Sequence, residues 1–226
     1  MAEIVWKDNR KLYFNELSEM FERRDAVFFD QMGWDREAAG IEKGWDRDQF
    51  DDDNAIYLIQ KNPLTGRLVA HCRFLLTERP HMMTEVWPHM CNGDEGIPTG
   101  PNILEFTRVC YDVDQMEPGK EFFQWVRGVF CTAVTEFCID QGIEAMTYVL
   151  TEPHLESHKK NHLWPSTALG DPVYDRNLSV NLTARKGLTN PSVAERIRSK
   201  LLRTTEPVLF YKGPWETADI EIVRAA

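Results

Sequence analysis

The chain has 226 residues, of which 42% are hydrophobic and 11% aromatic, and its formal net charge is −10. This composition supports a sizeable core and excludes a disordered chain. The acidic balance argues against nucleic acid as the main partner, because binding phosphate requires a basic face. With this net negative charge, the chain can bind an acidic protein partner only where its surface carries a local basic patch.

Cysteine usage and apolar segments indicate the compartment. The five cysteines are odd in number and form no C-x-x-C pair, which is typical of reduced core thiols in a cytosolic protein. Residues 1–11 lack the apolar stretch of a signal peptide. The most apolar predicted helix, 122–139, contains Arg127 and Glu136, so it is predicted to lie in the core. We therefore expect a cytoplasmic protein with no membrane span.

Hydrophobic periodicity predicts one long helix and a strand pair in the N-terminal half. Spacings near three and four indicate the helix, and residues 62–66 supply a hairpin turn between the two strands. A polar, acidic stretch is predicted to be a long surface loop. In chain order, the predicted elements are a strand at 3–6, a helix at 9–29 followed by a Gly33 cap, the loop at 35–54, strands at 55–60 and 68–76, and an irregular connection with one helical turn at 78–101.

The C-terminal half alternates between strands and helices. A wide apolar stripe indicates its main helix, and β-branched and aromatic residues indicate the strands. The predicted elements are strands at 103–111, 145–150, 172–184 and 208–211, and helices at 119–141, 152–161 and 193–202. This order predicts the α/β class, as an α+β sandwich around one mixed central sheet.

The predicted strand at 103–111 carries two charges, Glu105 and Arg108. A lone charge in a core costs several kcal/mol, so such a residue is usually paired, neutralised or used in chemistry. Residues three apart lie on opposite faces of a regular strand. Either one side chain points outward, or a β-bulge turns both toward one cleft. A structural ion pair and a functional site both remain open at this point.

Charges also lie in apolar or aromatic surroundings elsewhere in the chain. The whole set comprises Arg24, Asp48, Asp51, Arg73, Glu105 and Arg108. Such a set fits a structural network, or a pocket for a zwitterion in which arginine holds a carboxylate and an acid holds an ammonium or sulfonium. Phe28, Trp34 and Trp45 offer ring faces for a cation or a purine.

Seven short segments share their order and spacing with one known family. They are RDAVF at 24–28, GW at 33–34, DQFD at 48–51, AIYLI at 55–59, RFLLT at 73–77, PHMMTEVWP at 80–88 and LEFTR at 104–108. This pattern resembles the N-acyl-homoserine-lactone synthases, the LuxI-type autoinducer synthases of quorum sensing. The resemblance extends through about the first two-thirds of the chain. The eight residues that match those kept by the family are Arg24, Phe28, Trp34, Asp48, Asp51, Arg73, Glu105 and Arg108.

The resemblance implies a single domain over residues 1–226 with a fold like that of the Gcn5-related N-acetyltransferases. In that fold a mixed central sheet splays open, and the acyl chain lies in the V-shaped gap. Here the gap is expected between the strands at 103–111 and 145–150. A bulge in the first of these strands would also turn Glu105 and Arg108 toward the same cleft.

The reaction implied by the resemblance has two steps. The α-amino group of S-adenosylmethionine attacks the thioester carbonyl of an acyl carrier and forms an amide. The methionine carboxylate then attacks its own γ-carbon, closes a lactone and expels methylthioadenosine. A carboxylate base acting through water must first take a proton from the amine, and Glu105 is the candidate.

S-adenosylmethionine is thus expected as a co-substrate, with no permanently bound cofactor. No metal is expected either, because the sulfonium already activates the thioether leaving group. Asp48 and Asp51 are expected to hold the cationic co-substrate and the loop, while Arg24 and Arg108 fix its carboxylate. The expected catalytic residues are Glu105, Asp48, Asp51 and Arg24. The expected binding residues are Arg24, Phe28, Trp34, Asp48, Arg73, Phe106, Thr107 and Arg108, with Arg73 also explained as a brace of the fold.

The acyl pocket is expected to be lined by Phe106, Met146, Thr147 and Val149. Thr147 falls where related synthases place a Thr or Ser associated with a 3-oxo acyl group, and its hydroxyl can donate the hydrogen bond. Core packing is the alternative for each of these residues, since all of them are common in buried strands.

Histidines recur at helical spacing near residue 158. His154, His158 and His162 follow at i, i+4 and i+8, a spacing that can bind a metal, but no nearby acid completes a set. Together with Lys159 and Lys160, His158 instead makes a basic, pH-sensitive patch that is expected to dock an acidic acyl carrier protein. A second basic patch comprises Arg196, Arg198, Lys200 and Arg203. A solvated face is the alternative for both.

The chain departs from the family pattern at two places. Val109 follows Arg108 where the family commonly has an aromatic residue. Relatives that use acyl-coenzyme A carry paired tryptophans where this chain has Glu152-Pro153-His154. The second departure favours acyl carrier protein over acyl-coenzyme A as the donor.

Two other functions are weighed against the synthase. An acetyl-coenzyme A acetyltransferase of similar fold requires a glycine-rich loop for the pyrophosphate, whereas residues 114–119 are acidic and contain one glycine. A non-catalytic ligand-binding module predicts the loss of one of the eight residues, and all eight are present. The loop at 46–50 also fails as a calcium hand, because Phe50 stands where an acid is needed.

Overall fold

The structure, a computed structural model, describes residues 2–112, 120–161, 163–176, 178–202 and 206–211. Its strands are β1 (Ala2–Val5), β2 (Ile56–Lys61), β3 (Leu68–Leu76), β4 (Ile103–Tyr111), β5 (Ala145–Thr151), β6 (Ser166–Ala168), β7 (Val173–Asp175), β8 (Val180–Leu188) and β9 (Leu209–Tyr211). They form one mixed sheet in the order β6-β8-β5-β4-β3-β2-β1-β9, and β7 pairs with β8. The predicted α/β class with a mixed central sheet is therefore confirmed.

The helices flank this sheet. They are α1 (Phe14–Asp25), α2 (Arg36–Ala39), α3 (Met82–Glu85), α4 (Lys120–Asp140), α5 (Glu152–Lys160) and α6 (Pro191–Ile197). A 3₁₀ turn at Arg10–Tyr13 precedes α1, another lies at Pro88–Met90, and π-helical turns at Ala26–Gln31 and Arg198–Leu202 extend α1 and α6. The predicted helix at 9–29 is thus confirmed, although it changes geometry twice along its length.

Alternating side chains of the central strands separate two buried layers. Leu58 and Phe74 pack with α4 on one face of the sheet, and the ring centroids of Phe74 and Phe137 in α4 lie 5.0 Å apart. Tyr57 and Leu75 pack on the opposite face, with α1. The main helix therefore covers one face, and the charged side chains of the odd-numbered strand positions lie on the other.

The sheet splits at its centre. Strands β4 and β5 are parallel and share three pairs, which are Ile103 with Ala145, Leu104 with Met146 and Glu105 with Thr147. Beyond that point β4 continues on β3 and β5 continues on β8, so the two strands diverge. This divergence confirms the V-shaped gap expected between the two strands, with Glu105 and Thr147 at its start.

A β-bulge in β4 explains how Glu105 and Arg108, which are three residues apart, lie on the same face of the sheet. Arg73 pairs with Thr107 and His71 with Cys110, so Arg108 and Val109 together face the single residue between them on β3. Arg108 adopts a φ of 53°, in the left-handed region that a non-glycine residue seldom enters. Because of this extra residue, Arg108 lies on the same face of the sheet as Glu105 and Thr107.

The predicted strand at 172–184 is wrong. Strands β7 and β8 form a hairpin in that region, with Asp175 paired to Val180. Asp175 Oδ1 accepts a hydrogen bond from the Leu178 amide at 2.9 Å, and Ser179 has a φ of 53°, so the chain reverses there. Strand β8 then continues to Leu188, where it also pairs with β6, a strand that the sequence did not predict.

The acidic stretch at 35–54 is only partly the surface loop that was predicted. It contains α2, whose N-cap Asp35 accepts a hydrogen bond from the Ala38 amide. Asp46 and Asp51 are buried, because arginines from three other elements surround them. None of the described helices combines the length and the hydropathy needed to cross a membrane.

Candidate active site

Five buried charges and one partly exposed charge meet on the face of the sheet opposite α4. They are Arg24, Arg73 and Arg108 with Asp46, Asp48 and Asp51, and we refer to them as the Arg–Asp network. The end of α1 supplies the first arginine, β3 the second and the β4 bulge the third, while the acidic loop supplies all three carboxylates. Equal numbers of each charge allow a group of this size to be buried while ionised.

Arg24 lies at the centre of the Arg–Asp network. Its Nη1 and Nη2 donate to the two oxygens of Asp51 at 2.8 and 2.9 Å, and its Nε donates to Asp46 Oδ2 at 3.1 Å. The side chains of Arg24, Asp46 and Asp51 have no exposed surface. Tyr57 donates a further hydrogen bond to Asp51 at 3.0 Å, so both oxygens of Asp51 are engaged within the protein.

Arg73 binds both carboxylate oxygens of Asp48. Its two terminal nitrogens donate to Asp48 Oδ1 and Oδ2 at 2.5 and 3.1 Å, and its Nε donates to Thr107 Oγ1 at 3.1 Å. Its Nη1 also lies 2.9 Å from Asp51 Oδ2. Asp48 itself retains an exposed fraction of 10%, so it forms the rim of the network.

Arg108 lies between the carboxylates and two aromatic rings. Its Nη2 donates to Asp48 Oδ2 at 2.9 Å, and its Nε lies 3.0 Å from Asp46 Oδ2. Its guanidinium carbon lies 5.1 Å from the ring centroids of both Phe28 and Trp34. These two rings, predicted as faces for a cation, are 4.7 Å apart and here contact the cation of the protein itself.

The pKa values in the Arg–Asp network follow from burial and from its close pairs. Burial raises the pKa of Asp51, but Arg24 and Arg73 outweigh burial and hold that pKa well below its ordinary value. Burial would lower the pKa of Arg24, yet Asp51 and Asp46 raise it overall. Burial and the neighbouring Arg24 lower the pKa of Arg108, in spite of Asp46 and Asp48. Arg24 and Asp51 are therefore the firmly ionised centre of the network.

Glu105 lies beside the network without an arginine of its own. The carboxylate is fully buried, and its Oε2 accepts a hydrogen bond from the Met82 amide at 2.8 Å. Its Oε1 has no hydrogen-bond partner among the described residues. Burial raises the pKa of Glu105 to about 8, although the Met82 amide and Arg73 act in the opposite direction. A carboxylate with this pKa and one unpaired oxygen is suited to accept a proton.

Thr147 lies on the same face of the sheet as Glu105, because the two residues are paired across β4 and β5. Its side chain is fully buried, and its hydroxyl has no hydrogen-bond partner within the described ranges. A buried hydroxyl without a partner costs about 1–3 kcal/mol, which a bound ligand can recover. The start of the gap therefore carries two polar groups with unused hydrogen-bonding capacity.

The expected acyl-pocket residues divide between the two faces of the sheet. Phe106 and Met146 lie in the core with α4, where the Phe106 ring is 6.4 Å from that of Phe130. Thr147 lies on the face of Glu105, and Val149 packs beside a cluster formed with Leu169 on that face. These residues border the gap from both sides rather than forming one wall.

The expected docking patch is wrong at His158. Its ring packs against Tyr148 and Trp164, with centroids 5.9 and 5.7 Å away, and burial lowers its pKa to about 4. A neutral imidazole turned inward offers no positive charge to a carrier. Lys159 and Lys160 of the same helix are exposed, and Lys159 pairs with a neighbouring glutamate in α5.

The other basic and metal-binding candidates are also constrained. Arg198 forms an ion pair with Glu136, and Arg196 donates to the Leu163 carbonyl, so neither belongs to a free basic patch. His162 and Arg203 lie outside the described residues. Across the described ranges, no three side chains of His, Cys, Asp or Glu are grouped as metal ligands would be.

Two contributors to the site were not predicted. Asp46 bridges Arg24 and Arg108, whereas its sequence context suggested only a calcium loop that Phe50 excludes. Its spacing of two from Asp48 in an aromatic-flanked loop was the available signal. Met82 contributes through its backbone amide and its sulfur, which lies 3.2 Å from Arg73 Nη2, and no side-chain pattern reveals a backbone donor.

Comparison with known proteins identifies the family. The family model described as "Autoinducer synthase" matches residues 8–185. An isovaleryl-homoserine lactone synthase of Bradyrhizobium diazoefficiens is 33% identical over 151 residues, which are 66% of this chain and 64% of that protein. An acyl-homoserine-lactone synthase of Rhizobium etli is 28% identical over 148 residues, which are 64% of this chain and 65% of that protein. The chain thus matches slightly less than two thirds of the length of each.

Solved structures support the same fold. BjaI, described as a CoA-dependent acyl-homoserine lactone synthase, superposes with a TM-score of 0.84 and 24% identity, covering 100% of this chain and 97% of BjaI. The acyl-homoserine lactone synthase LasI superposes with a TM-score of 0.71 and 18% identity, covering 91% of this chain and 99% of LasI. Since the family model spans most of the sequence, this chain belongs to the autoinducer synthase family.

Proposed function

We propose that this chain is an acyl-homoserine-lactone synthase. It transfers an acyl group from a thioester donor to the amine of S-adenosylmethionine and then releases methylthioadenosine as the lactone closes. The observation that carries this proposal is the buried Glu105, whose pKa near 8 and unpaired Oε1 stand at the start of the gap and beside the Arg–Asp network. The relative BjaI, described in complexes with SAM and isopentyl-CoA and with MTA, supports the same chemistry.

Glu105 serves as the base in the first step. An α-amino group has a pKa of about 7.7–8.0, so the ammonium of the co-substrate and a carboxylate with a pKa near 8 exchange a proton at little cost. The free amine then attacks the thioester carbonyl, the carbon–sulfur bond breaks, and the carrier leaves as a thiolate. The new amide nitrogen gives its second proton to that thiolate, and the first proton passes from Glu105 to solvent. Glu105 Oε1 is the atom that receives the proton from the amine, directly or through one water.

The second step requires orientation more than proton transfer. The carboxylate oxygen of the acylated co-substrate attacks the γ-carbon, the carbon–sulfonium bond breaks, and the electron pair neutralises the sulfur of methylthioadenosine. Arg108 binds this carboxylate, and Phe28 and Trp34 provide ring faces for the adenine or the sulfonium. Asp48, at the rim of the network, is the acid that attracts the cationic co-substrate.

Arg24, Asp51 and Arg73 are positioning residues in this proposal. All three side chains are fully buried, and their charged atoms are engaged within the Arg–Asp network. They hold Asp48 and Arg108 in place. For Arg24 and Asp51, this positioning role replaces the direct contact with the ligand that the resemblance implied. Thr107 acts in the same way through its hydrogen bond with Arg73.

Acyl-coenzyme A is the donor that we propose to test first. Two structural relatives, BjaI and MesI, are described as CoA-dependent, which weighs against the preference for acyl carrier protein inferred from residues 152–154. Docking of an acidic acyl carrier protein would rely on Lys159 and Lys160, because His158 is turned inward. A cytoplasmic location is part of this proposal, and five free and buried cysteines agree with it.

The decisive experiment incubates the purified protein with S-adenosylmethionine and either acyl-coenzyme A or acyl carrier protein loaded with the same acyl groups. Mass spectrometry is expected to detect an acyl-homoserine lactone and methylthioadenosine in equal amounts. Glu105→Gln is expected to lower the rate at least about 100-fold, as the loss of a general base does. The matched control Glu144→Gln changes an exposed glutamate and is expected to retain the wild-type rate.

Two results would contradict the proposal. Folded wild-type protein that forms no lactone from any donor would exclude a synthase. Transfer of an acetyl group to a simple amine, without release of methylthioadenosine, would favour the acetyltransferase alternative instead. Lys159→Glu with Lys160→Glu then separates the donors, because it slows only the reaction with acyl carrier protein if these lysines dock it.

A further inference from the structure

Rings close the gap immediately beyond Glu105 and Thr147. Phe106 and Tyr148 are the next residues on the diverging strands, and their rings meet edge to face with centroids 6.4 Å apart. Both side chains are buried, and both belong to the core that packs against α4. An acyl group that enters between β4 and β5 therefore reaches aromatic surface within one residue step, about 3.3 Å along a strand.

Trp164 seals the space between these rings and α4. The residue lies in the connection between α5 and β6, and its ring is 5.7 Å from that of Phe106. Its Nε1 donates a hydrogen bond to Thr135 Oγ1 in α4 at 3.0 Å. The Thr135 hydroxyl donates in turn to the Cys131 carbonyl at 2.8 Å, so it is oriented to accept the indole N–H. The indole is thereby fixed as well as buried.

Tyr148 and Trp164 pack against the β8 backbone at Gly187 and cannot move further in that direction. A Cβ at this glycine would lie 2.8 Å from Tyr148 Cε1 and Oη and 3.2 Å from Trp164 Cβ. The two rings are therefore packed as close to the β8 backbone as the absence of a side chain allows. His158 packs on the outer side of both rings and completes the enclosure.

We propose that Trp164 is the floor of the acyl pocket and restricts the donor to short acyl groups. This inference rests on the synthase function proposed above and names the substrate class of the same site. A short or branched chain ends before the indole. A longer chain has to displace a buried ring that is hydrogen-bonded to α4 and backed by β8, and the binding energy of the extra methylenes is lost.

Chain-length profiles test this inference directly. Wild-type protein and Trp164→Ala are compared with butanoyl-, isovaleryl-, hexanoyl-, octanoyl- and decanoyl-coenzyme A, and with the same groups on acyl carrier protein. The wild-type kcat/KM is expected to fall at least about 10-fold from the best short donor to octanoyl, since one misfitted methylene already costs this much in a closed pocket. Trp164→Ala is expected to raise the octanoyl-to-hexanoyl ratio by at least about 10-fold.

Control variants distinguish a specific change in chain-length preference from a general loss of folding or activity. Trp164→Leu keeps a buried apolar side chain and is expected to shift the profile in the same direction if Trp164→Ala fails to fold. Trp125→Ala removes a half-buried tryptophan that stacks on Phe122 and has no ring contact with Phe106, Tyr148 or Trp164 among the described residues, and it is expected to leave the profile unchanged. Circular dichroism of each variant establishes folding.

The outcomes are distinguishable. A wild-type enzyme that uses decanoyl as well as hexanoyl donors overturns the inference while leaving the synthase function intact. Folded Trp164 variants with the wild-type profile overturn it as well. Absence of lactone from every donor, with wild type and variants alike, instead overturns the proposed function on which the inference rests.

Discussion

The backbone amide of Met82 donates a hydrogen bond to Glu105 Oε2 at 2.8 Å. The proposed base is therefore oriented by the first turn of a four-residue helix that lies on a different segment of the chain. Only one carboxylate oxygen is held, and the other remains available to accept a proton. The position and the pKa of Glu105 consequently depend on how firmly α3 is docked.

Activity is expected to depend on the ionisation of Glu105. Since the base must be deprotonated and its pKa is raised to about 8, kcat/KM for the acyl donor at saturating S-adenosylmethionine should rise with pH up to about 8. The slope below the midpoint should approach 10-fold per pH unit. A profile that is flat between pH 6 and pH 8 in the wild type would rule out Glu105 as the titrating base.

The same pKa predicts a dependence of stability on pH. The folded state binds the Glu105 proton more tightly than the unfolded chain, whose ordinary pKa is 4.5. The contribution of this group is complete below pH 4.5 and is lost as the pH rises toward 8. Relative to Glu105→Gln, the wild type should therefore lose free energy of unfolding, on the order of a few kcal/mol, between pH 5 and pH 9. Urea denaturation at both pH values measures this difference, with Glu144→Gln as the control.

Thr84 is expected to position Glu105 through the helix cap. Its Oγ1 accepts from the His81 amide at 3.1 Å and donates to the His81 carbonyl at 2.9 Å. Thr84→Ala should cost about 1 kcal/mol of stability and also move the midpoint of the pH–rate profile, because the Met82 amide is released. Thr84→Ser keeps the hydroxyl and should restore the midpoint. A loss of stability with an unmoved midpoint would limit Thr84 to a structural role.

Asp46 is expected to be essential for folding although the sequence did not single it out. Asp46→Asn leaves two buried guanidinium groups, Arg24 and Arg108, with one carboxylate fewer, and should cost about 3–5 kcal/mol. The matched control is Asp30→Asn, where an aspartate that is 57% exposed pairs with Arg36, and about 1 kcal/mol or less is expected. Equal losses in urea denaturation would contradict a buried, ionised network.

The left-handed backbone at Arg108 is strained for any residue except glycine. Two substitutions at this position can therefore measure the backbone strain separately from the loss of the guanidinium charge. Arg108→Ala and Arg108→Gly both remove the guanidinium, so both should abolish most of the activity. Arg108→Gly should nevertheless be the more stable of the two by about 1 kcal/mol, because φ is 53° at this position. At neighbouring Val109, whose φ is not positive, glycine should be the less stable substitution. Thermal unfolding of the four variants tests this reversal.

Gly170 packs closely against the backbone of residues 90–92, in the segment that follows α3. A Cβ at Gly170 would lie 2.2 Å from Asn92 Oδ1 and 2.6 Å from the Met90 carbonyl. Gly170→Ala should cost about 1–3 kcal/mol and slow the reaction, since this segment continues into the helix that holds Glu105. At Gly128 the atom nearest to an added methyl group is Leu202 Cδ2, the end of a flexible side chain that can shift, so Gly128→Ala should cost less than Gly170→Ala. Retained activity and stability in Gly170→Ala would show that the segment yields easily.

The strands were largely predictable because alternation and composition follow directly from burial on two faces. The phase of β4 was not fixed by the sequence, since a bulge leaves no hydrophobic signature, and the spacing of Glu105 and Arg108 offered a bulge only as one of two alternatives. The inward orientation of His158 was also hidden, because helical spacing defines a stripe but not the side on which Tyr148 and Trp164 will pack. The turn between β7 and β8 escaped prediction because it has neither glycine nor proline, although Asp175 caps the reversal.

Beyond Glu105 and Thr147, the facing edges of β4 and β5 are paired with no described strand, and they lie inside the molecule rather than at its periphery. Peripheral edges invite pairing with whole sheets of other proteins, and sequences usually carry charges or prolines to prevent it. Here both edges face the gap between the two halves of the sheet. Peptide-like N–H and C=O groups on a slender ligand can therefore pair with an edge that remains closed to aggregation.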